Sequence, residues 1–193
     1  MITEITGAWN KWNQSEGSDR YLGQEATRDR FQQEAVRHRV LHIATHAYLL
    51  PRECGGGNPL LRAGLAFAGR EESSSLLTAQ EIASLDLEGL DWAVLSACNT
   101  GNGELSDGEG VLGLQRAFRI AGARSIVMTL WPVNDDVARL YMRELYTRRF
   151  ALHSSTASAL WNSSQTLLRR RRAAGESTHP WYWAGFVGSG EWR

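Results

Sequence analysis

The sequence has few of the residues that build disulfide frameworks or clustered metal sites, and it carries no excess charge. Its 193 residues include two cysteines, Cys54 and Cys98, so that one disulfide at most could form. A disulfide-rich scaffold and a zinc site of clustered cysteines are therefore excluded. The formal net charge is zero, so no overall field draws the protein to nucleic acid or to a membrane surface. We expect no cofactor, no membrane partner and no direct nucleic-acid partner.

Two kinds of targeting segment are also missing from the sequence. The N-terminal residues contain no basic region followed by an apolar stretch, which a secretory signal would need. No run of about 18 apolar residues is present that could span a bilayer. We therefore expect a cytoplasmic protein, in which a free thiol stays reduced and available for chemistry.

The order of apolar segments predicts one domain of alternating strands and helices. Short apolar runs predict buried strands over residues 40–45, 92–97 and 125–130. Thr78 and Asn134 have the positions of N-cap residues before two of the predicted helices. Strands that alternate with helices imply an α/β fold with a mainly parallel sheet covered on both faces.

The end of the chain is rich in tryptophan. Its apolar residues predict a closing strand over residues 181–187. Because aromatic side chains mostly bury a large area, we expect four tryptophans in the core: Trp131, Trp161, Trp181 and Trp183.

Two residues that can carry nucleophilic chemistry, His46 and Cys98, each follow a predicted buried strand by one residue. In a sheet of this kind the functional site lies beyond the carboxyl ends of the strands. A cysteine of ordinary pKa, about 8.5, is only a few per cent ionised near neutral pH. A neighbouring imidazole can raise that fraction and can protonate a departing amine. The pattern favours a Cys–His nucleophilic site.

Both residues also have a structural interpretation. A buried cysteine at a strand end is most often a small apolar side chain, and a single histidine is most often structural. The segment SACNTG at residues 96–101 favours catalysis, because small side chains around a thiol leave space for a substrate backbone. His42 and His46 are a conceivable metal pair, but no third and fourth ligands accompany them at suitable spacing.

Longer motifs support the catalytic interpretation: LHIATH at 41–46, LSACNTG at 95–101, GEGVLGL at 108–114, RAF at 116–118, AGARS at 121–125, LWPVNDD at 130–136 and HPWYWAGF at 179–186. In this order, over about residues 22–188, the chain resembles the CHAT domain family, which is similar to caspases and separases. The resemblance implies a caspase-like α/β fold with a dyad of His46 and Cys98. It also implies that the backbone N–H groups of Ala47 and Cys98 hold the oxyanion.

The same resemblance implies a substrate role for Asp135, which lies where separases have an acid that binds a basic residue before the scissile bond. Asp135 would select arginine or lysine by charge pairing. An acid in the first turn of a helix is stabilising in any case, and Asp107 and Glu109 are alternative acids. Family members often lie beside TPR repeats in bacterial proteins, where they act in signalling or defence. A TPR or sensor region, in the same or another chain, is therefore the implied partner and regulator.

The chain departs from the family at its N-terminal end. CHAT domains carry a strand and a helix before the segment equivalent to residues 22–38, and here a short polar stretch stands in that place. We divide the chain into a polar N-terminal extension, residues 1–22, and a caspase-like peptidase domain, residues 23–193, that lacks the first strand and helix of the family. An open edge on a central strand is an aggregation hazard, so we expect the isolated chain to be poorly soluble or to need a partner.

These features favour a cysteine endopeptidase that cleaves a protein substrate through an acyl-enzyme thioester. The alternative from another class is a catalytically silent CHAT-like protein-interaction module, which keeps the fold without the activity. A nucleic-acid-binding domain is a third hypothesis, based on the four consecutive arginines at residues 169–172. The zero net charge makes it the weakest of the three.

Overall fold

The computed structural model describes residues 17–51, 58–96 and 109–191, without the side chains of residues 72–73 and 109–111. The strands in these ranges are β1 (Val40–Ile43), β2 (His46–Leu49), β3 (Ala63–Ala66), β4 (Leu76–Thr78), β5 (Trp92–Leu95), β6 (Ser125–Thr129) and β7 (Phe186–Gly190). The α-helices are α1 (Arg28–Ala35), α2 (Pro59–Arg62), α3 (Glu72–Ser75), α4 (Ala79–Ala83), α5 (Glu109–Ile120), α6 (Asp135–Tyr146) and α7 (Thr156–Ala173). None of the helices in these ranges is long and apolar enough to cross a membrane.

The larger sheet has four strands in the order β1-β5-β6-β7. Its first three strands are parallel, and β7 returns antiparallel to β6. Parallel neighbours need a crossover connection, and helices provide the crossover between β5 and β6 and part of the connection between β1 and β5. The predicted α/β class with a mostly parallel sheet and flanking helices is confirmed.

Helices cover both faces of this sheet. Successive side chains of a strand point to opposite faces, so each strand contributes to the packing on both sides. All four residues of β5 are buried. Ala93 joins a core that includes Phe118 of α5, and the next residue, Val94, joins a second core that includes Tyr141 of α6. An apolar run with no polar alternation is therefore what this central strand requires.

A smaller antiparallel sheet, in the order β2-β3-β4, follows β1 after two residues. The sequence predicts no strand at β2, which pairs with β3 so that His46 lies opposite Ala66. Gly64 of β3 lies against β4 and β2, and a Cβ atom there would collide with the carbonyl oxygen of Leu77 and the ring of Tyr48. The close approach of the three strands depends on this glycine.

Local signals set several helix ends as predicted. The side chain of Thr78 accepts a hydrogen bond from the N–H of Glu81, whose carboxylate accepts from the N–H of Thr78, so the predicted cap at Thr78 is present as part of a capping box. The side chain of Asn134 accepts from the N–H of Asp136 at 3.0 Å and caps α6. Gly122 follows α5 with φ 109°, a conformation that favours glycine.

Two expectations at the end of the chain are wrong. Residues 180–182 form a 3-10 helix, and the closing strand starts only at Phe186. Trp161 and Trp181 are 65% and 51% exposed, so neither is a core residue. Trp161 occupies the solvent face of α7, whose apolar face is built instead from Ala159 and Leu167. The apolar residues nearest to Trp161 in the sequence do not indicate which face of α7 packs against the core that includes Tyr141.

Candidate active site

His46 stands at the carboxyl end of β1, where the chain passes from the larger sheet to the smaller one. The predicted strand over residues 40–45 ends at Ile43, and His46 is the first residue of β2. The hydroxyl of Thr45 donates to the carbonyl oxygen of Ala66 and ties the connecting turn to β3. The side chain of His46 is exposed. A histidine in this position is accessible from solvent at the edge where sequence analysis expects the site.

Cys98 lies outside the described residues, and the strand that leads to it is β5. β1 and β5 are parallel neighbours with Ile43 opposite Leu95. The N–H of Ser96 donates to the carbonyl oxygen of Ile43 at 2.9 Å, which continues the pairing one residue beyond β5. The two strands therefore end side by side, at the same edge of the sheet. Cys54 and Asp107 also lie outside the described ranges.

Ala47, an expected oxyanion donor, lies in β2 and is therefore in extended conformation. Leu50 donates its N–H to the carbonyl oxygen of Arg62 across the β2–β3 pair, at 2.7 Å. Because hydrogen-bonded and non-hydrogen-bonded pairs alternate along an antiparallel ladder, the peptide N–H of Ala47 faces away from β3. Its direction leaves this N–H available to an acceptor on the outer side of β2.

Asp135 is the first residue of α6, which starts six residues after the end of β6. Its carboxylate is exposed and makes no ion pair with any residue in the described ranges, whereas its neighbour Asp136 pairs with Arg139 at 2.7 Å. The alternative acid Glu109 is the first residue of α5, and its side chain is not described. Asp135 thus has the exposure that a substrate-binding acid needs, at the carboxyl end of a strand next to β5.

An aromatic surface that sequence analysis missed lies just beyond β6. Trp131 and Trp181 stack with ring centroids 5.3 Å apart, and the indole N–H of Trp131 donates to the carbonyl oxygen of Trp181 at 2.9 Å. Leu130, next to this pair, is 44% exposed. Pro132 immediately after Trp131 is the one signal that could have indicated a turn there and not a core strand. The site edge therefore carries apolar surface as well as polar groups.

A buried histidine lies on the strand that leads to His46. Nδ1 of His42 is 3.0 Å from the hydroxyl of Tyr146. Its Nε2 atom is buried and has no hydrogen-bond partner among the described residues, although the rest of the side chain keeps partial exposure. Burial lowers the pKa of His42 to about 4, and burial raises the pKa of Tyr146. His42 is therefore neutral near pH 7, and it adds no positive charge to the strand that leads to His46.

We expect the burial of His42 to make folding pH-dependent below pH 6.5. The folded-state pKa of about 4 is lower than the ordinary value of 6.5, so between these values the unfolded chain binds more protons. The contribution of His42 to the free energy of unfolding is complete above pH 6.5 and is lost as the pH falls to about 4. The loss is at most about 3 kcal/mol. Urea unfolding of wild type and His42→Gln at pH 7, 6, 5 and 4 measures this loss.

The comparison of wild type with His42→Gln isolates the contribution of His42, because the other histidines are present in both proteins. The free energies of unfolding should converge as the pH falls, since the variant has no imidazole to protonate at this position. Parallel curves, with a constant difference from pH 7 to pH 4, would show that His42 does not cause the pH dependence.

One group of described side chains could hold a metal ion, and it lies far along the strand from His46. Asp19, Glu34 and His38 offer ligand atoms within 4.8 Å of one another. This cluster precedes the amino end of β1, whereas His46 follows its carboxyl end. Arg30 and Arg37 lie 3.6 and 3.7 Å from the carboxylate of Glu34, and their positive charge opposes a bound cation. The cluster is accounted for as a group of surface ion pairs.

Comparison with known proteins identifies the family of the chain. A model of the CHAT domain matches residues 2–191. Tetratricopeptide repeat protein 28 of Mus musculus is 31% identical over 112 residues, which are 58% of this chain and 4% of that protein. The Homo sapiens protein of the same name is 30% identical over 112 residues, again 4% of its length. The chain thus matches only a small part of these relatives. By the extent of the family match, it belongs to the CHAT domain family.

Proposed function

We propose that this protein is a cysteine endopeptidase in which Cys98 is the nucleophile and His46 is the acid–base partner. The observation that supports it is the alignment of two neighbouring parallel strands, with Ile43 opposite Leu95. His46 and Cys98 each follow these paired residues by three positions. Three residues of extended chain span at most about 11 Å, so both residues remain close to the same edge of the sheet.

The proposed reaction proceeds in two steps. Sγ of the Cys98 thiolate attacks the carbonyl carbon of the scissile peptide bond, and the electron pair of the C=O bond moves to the oxygen. As this tetrahedral species collapses, the C–N bond breaks, and imidazolium at His46 gives its proton to the departing amine. The acyl group is then held as a thioester on Cys98. Water, deprotonated by His46, attacks the thioester, releases the carboxylic acid and regenerates the thiolate.

The oxyanion of each tetrahedral species needs preorganised donors. We assign this role to the backbone N–H groups of Ala47 and Cys98. The N–H of Ala47 faces away from β3 and is not used by the β2–β3 ladder, which supports its assignment. Because β2 holds Ala47 in extended conformation, alanine meets no backbone strain here, and a glycine is not required.

Asp135 is proposed to bind a basic residue before the scissile bond, and this role predicts a change in specificity. We expect Asp135→Asn to lower kcat/KM for peptides with arginine or lysine at that position by about 10- to 100-fold, because one charged hydrogen bond is lost. Peptides with a neutral residue there should be much less affected. A cleavage profile of a peptide library measures both rates.

The matched control for this variant is Asp136→Asn. Asp136 is the next residue in the same helical turn, so both variants remove one acid from the positive end of α6. Asp136 pairs with Arg139, whereas Asp135 makes no ion pair within the described part of the chain. Equal losses for basic and neutral peptides, or equal losses in the two variants, would contradict a binding role for Asp135.

We further propose that a repeat or sensor region regulates the enzyme in a cytoplasmic setting. Two of its relatives are named as tetratricopeptide repeat proteins, and the chain spans about 4% of their length. A peptidase in a compartment full of folded and unfolded protein needs restraint, and a repeat region offers an extended surface that can bind a signal. Its substrate is proposed to be a protein segment that reaches the exposed edge near His46.

The experiment that tests the peptidase assignment is labelling with a thiol-directed peptidyl probe. We expect the probe to label wild type at Cys98, to fail with Cys98→Ala and to react more slowly with His46→Ala. Cys54→Ala is the matched control, because it removes the other thiol and should leave labelling unchanged. Equal labelling of the two cysteines, unaffected by His46→Ala, would instead support a catalytically silent interaction module.

A further inference from the structure

The solvent face of α7 carries a large aromatic side chain. Trp161 is 65% exposed, whereas Ala159 and Leu167, on the opposite face of the helix, are buried in the second core. Tryptophan has a large apolar area, and most tryptophans of folded proteins are largely buried. A single exposed apolar residue is nevertheless ordinary on a protein surface, so the meaning of Trp161 depends on the residues that share its face.

Arginines share this face of the helix. Arg169 and Arg172 follow Trp161 by 8 and 11 residues, with Gln165 between them, so the four side chains lie along one side of α7. Arg169, Arg172 and the adjacent Arg170 are exposed, and none of them forms an ion pair with a residue that the structure describes. Nε of Arg169 donates to the carbonyl oxygen of Gln165 at 3.2 Å, which uses one of the five guanidinium donors.

The fourth arginine of the tract has a different environment. Arg171 lies 2.9 Å from the carboxylate of Glu176, and its Nε donates to the carbonyl oxygen of Ser177 at 2.6 Å. Its guanidinium group also lies over the ring of Tyr182, 4.3 Å from the ring centroid. Arg171 therefore holds the end of α7 against the residues that follow it. The other three arginines make no such contacts with the described residues, and α7 itself contains no aspartate or glutamate.

The helix dipole explains these arginines only in part. The negative end of the dipole favours cations in the last turn of α7, where Arg170 and Arg172 lie. It does not explain an exposed indole two turns earlier, on the same face as Arg169 and Arg172. Tryptophan and arginine are the residues that contribute most often to the binding energy of protein interfaces. Their alignment on one helix face therefore indicates a binding surface.

We propose that the outer face of α7, formed by Trp161, Gln165, Arg169 and Arg172, binds an acidic amphipathic helix of a partner protein. Along the helix axis the two arginines lie about 12 Å and about 17 Å from Trp161. A helix packed alongside would place an apolar residue against the indole and carboxylates two to three turns away, where each can accept two N–H groups of a guanidinium. The acidic character of the partner follows from charge complementarity, because α7 supplies only cations. The proposal does not depend on whether the protein is catalytic.

Two other occupants fit this face less well. Nucleic acid carries a phosphate for every base, so a base stacked on Trp161 would need cations close to the indole. The residues of α7 around Trp161 on the solvent side are Ser158, Asn162 and Gln165, which are uncharged. A second copy of the chain would bring six arginines into one interface, to which α7 contributes no carboxylate. An acidic helix satisfies the arginines and covers the indole.

Selection from a peptide library tests the proposal. The full-length protein is the target, and the probe is a phage-displayed library of helical peptides of random sequence. We expect the enriched peptides to combine an apolar residue with aspartates or glutamates two to three turns away. Their affinity should fall about tenfold or more in Trp161→Ala and in the double variant Arg169→Gln, Arg172→Gln, and it should also fall as salt is added. Because the three side chains are exposed, these variants should fold as wild type does.

The matched controls lie on α5, which packs on the other face of the larger sheet. Ile120→Ala removes a side chain that is 58% exposed, and Arg116→Gln removes an exposed arginine, so neither should change peptide binding. Enriched peptides without acidic residues, or a selection in which no enriched peptide loses affinity for Trp161→Ala, would contradict the proposal. An oligonucleotide that binds this face more tightly than the acidic peptides would assign it to nucleic acid. A concentration-dependent dimer that Trp161→Ala dissociates would assign it to a second copy.

Discussion

Replacing Cys98 with alanine is expected to lower kcat/KM for a cleavable peptide by about 10⁴-fold or more. Without the thiol no thioester can form, and only binding and the oxyanion donors remain. His46→Ala should cause a loss of similar size, because the thiolate then loses its acid–base partner. The two residues act as a unit, so the double variant should be no slower than the slower single variant. Initial rates on a fluorogenic peptide measure all three.

The controls for this experiment are the other thiol and an unrelated histidine. Cys54→Ala should keep the wild-type rate. His153→Asn should also keep it, because His153 is exposed and has φ 51°, a conformation that asparagine tolerates. Losses that add up in the Cys98–His46 double variant would indicate independent structural effects. Unchanged hydrolysis in Cys98→Ala would falsify the assignment of the nucleophile.

The second large effect is expected at Gly64, in the small sheet that carries His46. A valine side chain there would overlap the carbonyl oxygen of Leu77 and the ring of Tyr48, and the backbone of a paired strand cannot move aside easily. We expect Gly64→Val to lower the free energy of unfolding by about 3 kcal/mol. For a domain of this size the melting temperature should fall by about 6–12 °C. Differential scanning calorimetry measures the change.

Gly89→Ala is the matched control for the steric effect. A Cβ atom at Gly89 would meet no atom within 4 Å, so this variant should melt within about 2 °C of wild type. Because β3 pairs with β2, Gly64→Val should also reduce peptide hydrolysis more than its loss of folded protein explains. A melting temperature unchanged in Gly64→Val would mean that the three strands are not packed as closely as described.

The class of the fold could be predicted because its signals are local. The runs that became β5 and β6 are apolar without alternation, which is the pattern of strands covered on both faces. The capping box at Thr78 and the N-cap at Asn134 depend on residues within three positions of each other, so their side chains find their partners in any helix that starts there. The order of strands and helices then favours parallel pairing with crossovers.

The position of the candidate site was predictable as far as it depends on where the parallel strands end. Placing His46 and the segment that leads to Cys98 at one edge required only that β1 and β5 be parallel neighbours, which they are. The start of β2 at His46 was not predictable, because a four-residue strand is recognised by its partner β3 more than by its own composition. The stacked pair of Trp131 and Trp181 was missed for a similar reason, since 50 residues separate two rings that meet only in the folded chain.

By itself, the sequence determined the elements whose signals are local, the apolar strands and the helix caps, and it supplied the candidate site residues at the strand ends as a prediction. The tertiary structure alone decided which of the described strands lie beside one another, which face of α7 leaves Trp161 exposed, and that His42 lies against Tyr146. The physical reason is that a periodic pattern says that a face must be covered but does not say by what. Coverage depends on contacts between residues far apart in the chain, and these form only when the whole domain folds.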